Sequence, residues 1–145
     1  MGTNRTPPGK VERRLPALDP VNEFFWTAGK FGHLQILRCD SCEHWLHPPA
    51  PICPECLCRS LTPHPVSGLG KIEAVTIHHQ SWVSEIAPPY AIVLVGLDDC
   101  PYVRLTSHLL TDDPNKVAIG LHVRVVFEQQ EDVWLPFFEL TGDTA

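Results

Sequence analysis

No stretch of this 145-residue chain approaches the roughly 20 consecutive apolar residues that would cross a bilayer. Its opening residues, MGTNRTPPGKVERR, lack the apolar centre of a secretory signal, so the protein is expected to be soluble, cytoplasmic and free of any membrane. Positive charge is scarce where it would matter most. Residues 67–145 carry four Lys/Arg against eleven Asp/Glu, a net −7, while residues 1–66 are net +1. A nucleic-acid surface draws affinity from cations that displace counterions from phosphates, so this shortage argues against a nucleic-acid partner. Signature motifs are also missing. There is no G-x-S-x-G, no P-loop and no G-x-G-x-x-G, and the GLG at 68–70 reads as a chain break before a strand. No nucleophile–base pair emerges, and the chain is expected to be non-catalytic.

Proline is abundant instead, with fifteen residues that crowd the first ninety positions and favour loops over long helices. Residues 1–18 read as a disordered tail, 19–33 as a helix of about three turns, 34–66 as a cysteine-bearing module, 67–140 as a β domain and 141–145 as a second tail. In the helix Asp19 caps and Pro20 takes the first position, where no donor is missed. Val21, Phe24, Phe25 and Ala28 follow the spacing of one buried face, Trp26 points away from it, and Gly29 and Gly32 end the segment.

From residue 67 onward five β-branched and aromatic runs appear: GKIEAVTIHHQSW, YAIVLVGLDD, YVRLTSHLL, HVRVVFEQQ and VWLPFFEL. The third and fourth are joined by the longer TDDPNKVAIG, which has room for a helical turn. Five short strands with that connection point to a Greek-key barrel of the OB type, with a small sandwich as the alternative. The fold class is mainly β.

RCDSCEHWLHPPAPICPEC holds Cys39, Cys42, Cys53 and Cys56 as two C-x-x-C pairs. Disulfide frameworks belong to small exported domains, and a redox C-x-x-C belongs beside a βαβ pattern; neither context is present. Two such turns let four thiolates converge on one ion, with zinc the default metal and iron admitted by the same geometry. Four protein ligands leave no open position, so the metal is structural, and its binding stabilises a module with little apolar content of its own. Cys58 is an alternative to Cys56. His44 and His47 are expected to be exposed loop residues, and Cys100 a small semi-buried one. His78 and His79 are adjacent in a strand pattern and face opposite ways, which excludes a catalytic pair.

The order NEFFWTAGKFGHLQILRCDSCEHWLHPPAPICPEC, SGLGKIEAVTIHH, PPYAIVLVGLDD, IGLHVRVVFE, LPFFEL resembles the domain-of-unknown-function thirty-five family over about residues 19–140. Glu43, where a small residue or Gly is common, and the additional Cys58 depart from its pattern. The resemblance implies a rubredoxin-like zinc ribbon followed by an OB-fold. It also implies a non-catalytic subunit that binds a thiolase-like enzyme dimer, either an acyl-CoA thiolase or a retro-aldolase of steroid side-chain degradation. Such a subunit helps form the partner's acyl-CoA site, with a possible bridge to a MaoC-like enoyl-CoA hydratase. Phe25, Trp26 and Trp45 are the candidate interface, and Arg13, Arg14, Lys30 and Arg38 the candidate contacts to CoA phosphates. The alternatives are an independent acyl-CoA binder and a single-stranded nucleic-acid protein.

Overall fold

The computed structural model describes residues 13–82 and 86–142. Most of the expected first tail (1–12) and the end of the second (143–145) lie outside the described residues.

Five strands form the larger unit: β4 (Leu69–His78), β5 (Tyr90–Leu97), β6 (Arg104–Leu110), β7 (His122–Gln130) and β8 (Val133–Leu140). They close into a barrel in the order β4-β5-β6-β8-β7, and β4 pairs back onto β7. All pairings are antiparallel except β6 with β8. This is the OB arrangement expected from the strand pattern, and the long third connection carries a 3-10 turn at Pro114–Lys116. Alternation along β5 shows why these runs become strands: Ala91, Val93, Val95 and Leu97 are buried inside, while Tyr90, Ile92 and Leu94 are half-buried on the outer face. A bulge at Ile72/Ala74 leaves Glu73 over Gly96, where a Cβ would meet its Oε1 at 2.6 Å; Glu73 reaches on to pair with Arg104.

The smaller unit is a three-stranded sheet of β1 (Leu34–Cys39), β2 (Trp45–Leu46) and β3 (Leu61–Val66), in the order β2-β1-β3. The strand LTPHPV was not anticipated, because two prolines argue against a ladder. It survives as an edge: Pro63 and Pro65 are two apart, so their missing donors face the same, unpaired side.

The helix is shorter than expected. Only Glu23–Thr27 is α-helical, followed by a 3-10 turn at Ala28–Phe31, and Pro20 lies in a turn before it. Asp19 does not cap the helix, whose N-cap is Asn22; its Oδ1 closes the preceding turn, accepting from the backbone N–H of Val21 and Asn22, both at 2.8 Å. Gly32, at φ 82°, ends the segment in the left-handed conformation that favours glycine. Gly29 is there for close approach, since a Cβ would sit 2.5 Å from the Phe127 ring and 2.6 Å from Trp134 Cβ.

Residues 13–18, assigned to the tail from sequence, run as an ordered strap along the barrel. Leu15 and Leu18 pack with Trp26 onto Val126, Val133, Leu135 and Phe137 of the outer faces of β7 and β8. This second apolar layer is why Trp26, though off the helix's main face, is half-buried. It touches this layer and the main core, and packs edge-on to Phe25 with centroids 4.9 Å apart. Burying each such large apolar side chain is worth about 1.5–3 kcal/mol, enough for a five-residue helix to be held by packing rather than by its own propensity.

Candidate functional site

β1 and the loop after β2 each deliver one cysteine pair. In the first pair Cys39 N–H donates to the His44 carbonyl at 2.9 Å and Glu43 N–H to the Cys39 carbonyl at 3.0 Å. In the second, Cys53 N–H donates to the Cys58 carbonyl and Leu57 N–H to the Cys53 carbonyl, both at 2.9 Å. The two turns are copies, and Glu43 (φ 64°) and Leu57 (φ 63°) take the same left-handed position in each. In this copy relation Cys58 matches His44: its carbonyl closes the turn, and its sulfur accepts from Ser60 N–H at 3.3 Å.

The Sγ atoms of Cys39, Cys42, Cys53 and Cys56 all lie within 4.8 Å of one another. Cys39 and Cys56 are 3.5 Å apart, and Cys42 and Cys53 3.6 Å. Tetrahedral coordination with metal–sulfur bonds of about 2.3 Å places sulfurs about 3.8 Å apart, so the donor set and its spacing fit a metal ion. The thiols are uneven without one. The amides of Cys42 and Ser41 pull Cys39 down to about 6. The Cys58 amide lowers Cys56, but local desolvation and the neighbouring sulfurs outweigh it and push that thiol up to about 12. Such a set cannot lose all its protons unless a cation compensates the accumulated charge. The four thiols are placed as a metal-binding set, and four protein ligands on one ion would leave no position over for chemistry.

The remaining candidates are scattered rather than gathered. Phe25 is only 4% exposed and belongs to the core. Trp45 is half-buried on the ribbon sheet, under the Arg38 guanidinium at 5.0 Å and edge-on to His64 at 6.0 Å. Trp26 and Trp45 therefore each pack on other partners. Arg38 is further held by the Glu43 carbonyl at 3.3 Å and its carboxylate at 3.7 Å. Lys30 is exposed at the end of the 3-10 turn. Of the four cations, Arg13 and Arg14 alone share a site.

That site is a groove of about 1070 Å³ between the strap and helix, the His47–Pro49 loop and the outer face of the barrel. A ladder of rings crosses four strands on its floor. His78 stacks on Tyr90 at 4.8 Å, Tyr90 meets His108 at 5.2 Å, and His108 meets Phe137 at 6.1 Å. Arg13 closes the ladder 4.5 Å above the Phe137 ring, and its Nε lies 3.6 Å from the buried Glu128 carboxylate. His47, expected to be exposed, packs against Phe25 at 4.9 Å and joins the ribbon loop to the helix. Burial lowers both His47 and His108 to about 4; Arg13 and His78 add to the effect on His108. Both imidazoles are neutral at pH 7. Cys100 is 1% exposed, and burial pushes its thiol up to about 12, which removes it as a nucleophile. Sequence reasoning missed the groove because its walls come from four segments far apart in the chain.

Residues 26–62 match the family model of the ChsH2 rubredoxin-like zinc ribbon domain, and residues 63–128 that of the ChsH2 C-terminal OB-fold domain. A probable enoyl-CoA hydratase alpha subunit of Thermomonospora curvata is 31% identical over 130 residues, 89% of this chain and 40% of that protein; the chain thus spans about two fifths of that subunit. A DUF35 domain-containing scaffold protein of Methanothermobacter thermautotrophicus is 30% identical over 95 residues, 63% of this chain and 69% of that protein. Among solved structures, an Ltp2-ChsH2(DUF35) aldolase superposes with a TM-score of 0.78 at 29% identity, covering 87% of this chain and 98% of that one. The mainly β fold, the helix, the ribbon and the OB barrel expected from the sequence all stand, and the chain belongs to the DUF35 family.

Proposed function

We propose that this protein is a non-catalytic accessory subunit that docks on a thiolase-like enzyme dimer and helps form or stabilise its acyl-CoA site. The observation that carries this reading is the close match along nearly the whole of a chain from an aldolase assembly, together with a closed metal site. The enoyl-CoA hydratase alpha subunit among its relatives supports a bridge to a hydratase of the MaoC-like kind. The metal is zinc, held by Cys39, Cys42, Cys53 and Cys56, the tetrathiolate set of structural zinc sites. Zinc supplies folding free energy here by fixing the two turns that present the ribbon sheet, while the thiolates hold no substrate.

Within the docking face, Trp45 and the outer edge of Trp26 are the anchors retained from the sequence, since Phe25 is interior. Exposed Phe31 (72%), Leu57 (73%) and Tyr102 (86%) are further large apolar side chains of the kind that interfaces bury. Any direct grip on CoA phosphates falls to Arg13 and Arg14, which line one groove, and to the exposed Lys30, because Arg38 is occupied within the ribbon. Co-expression with a retro-aldolase or acyl-CoA thiolase, followed by affinity purification, tests the reading. The tagged chain is expected to retain the enzyme at a fixed ratio, and Trp45→Ala to weaken that retention with zinc content unchanged. Absence of any retained thiolase-like enzyme removes the proposal.

A further inference from the structure

The groove on the barrel's outer face is a concave site that zinc binding leaves unused and that shares Arg13, Arg14 and Trp26 with the docking reading. The outer faces of β7 and β8 are sealed by Leu15, Leu18 and Trp26, and the same apolar surface continues over β5 and β6, where no other of the described residues covers it. There Tyr90 and Ile92 are half-buried and Thr106 is exposed, in the middle of a cavity of about 1070 Å³. Ligand sites of this size are apolar clefts with a few convergent polar groups, and this is the OB surface that usually carries the ligand.

Arg13 and Arg14 on the strap are the groove's arginines, and Asp19, which follows the strap, spends one carboxylate oxygen on two backbone amides. Arg13 is partly compensated by Glu128, so the exposed Arg14 carries most of the free positive charge. The middle is lined by Tyr90, Ile92, Phe137 and the half-buried imidazoles of His47 and His108, neutral at pH 7. An extended polyanion gains little from a single positive end.

We propose that this groove binds an amphipathic anion, an elongated apolar body ending in one carboxylate or sulfonate, with the body over Tyr90, Ile92 and Thr106 and the head against Arg14 and Arg13. The site needs no partner enzyme, so it stands or falls separately from the docking reading.

The test uses the full zinc-loaded chain alone, with 8-anilinonaphthalene-1-sulfonate as a fluorescent probe and dodecanoate, dodecanol and inorganic phosphate as competitors. The expected result is saturable probe fluorescence displaced by dodecanoate, with dodecanol about tenfold weaker, as loss of one charge-assisted contact predicts, and phosphate without effect. Arg14→Ala should erase the preference for the anion, and Thr106→Trp should fill the groove and abolish binding. Absence of saturable fluorescence, equal displacement by dodecanol, or unchanged binding in both folded variants overturns the proposal. Should Thr106→Trp fail to fold, hydrogen exchange on the wild-type chain decides. Dodecanoate must slow exchange at residues 90–92 and 105–108, and no slowing there overturns the site.

Discussion

Glu43 and Leu57 occupy equivalent left-handed positions, φ 64° and 63°, each one residue after the second cysteine of its pair. An L-residue in that conformation costs about 1–2 kcal/mol, against about 0.5–1 kcal/mol of extra unfolded-state freedom for glycine. Glu43→Gly and Leu57→Gly are therefore each expected to stabilise the protein by roughly 0.5–1 kcal/mol. The lost Glu43–Arg38 contact, 3.7 Å long with Glu43 74% exposed, changes that little. Urea denaturation of the zinc-loaded protein checks this, and a fall in midpoint for both variants contradicts it.

The two candidate interface tryptophans are expected to separate on stability. Trp26 packs against both the main core and the strap layer, so Trp26→Ala should cost about 2–3 kcal/mol, the lower end for a large aromatic because it is half-buried. Trp45 packs against the main core alone and lies under Arg38 at 5.0 Å, without the strap layer that adds to Trp26, so Trp45→Ala should shift the midpoint less. Equal losses would show that Trp45 is as structural as Trp26.

Gly29→Ala is expected to destabilise by about 1–3 kcal/mol, because its new methyl would lie 2.5 Å from the Phe127 ring at the barrel's end. Thermal unfolding measures this. A neutral result would mean that the 3-10 turn moves off the barrel freely.

His47 and His108 give the fold an acid limb. Both are lowered by burial to about 4, so the unfolded chain binds protons near pH 6.5 that the folded chain refuses. Stability is then full above about pH 6.5 and lost as pH falls towards 4, by an upper bound of about 3 kcal/mol for each histidine. Arg13 and His78 face His108 and deepen its effect, whereas burial against Phe25 acts on His47. His47→Asn should flatten the fall in unfolding free energy between pH 6.5 and 4.5. An unchanged slope would show that carboxylates carry it.

The barrel was legible because burial along its strands is local: alternation in YAIVLVGL is written in neighbouring residues. The metal set was legible for the same reason, since two C-x-x-C turns carry their own geometry. Other features depend on what a distant segment covers. LTPHPV became a strand because it lies at an edge, and Trp26 was buried by a strap that composition alone reads as tail. His47 left the loop surface because Phe25 came to meet it. Arg38 was placed among the phosphate contacts, but a cysteine turn one residue away supplies it with Glu43.

In the proposed role the chain contributes to acyl-CoA chemistry only through a thiolase-like partner. The most direct measurement is retro-aldol or thiolysis turnover of an acyl-CoA substrate by the chain alone, the partner alone and the co-purified complex. Background turnover is expected for the chain alone, and clearly higher turnover for the complex than for the partner alone. Turnover by the isolated chain that disappears with a single His or Cys substitution would contradict it.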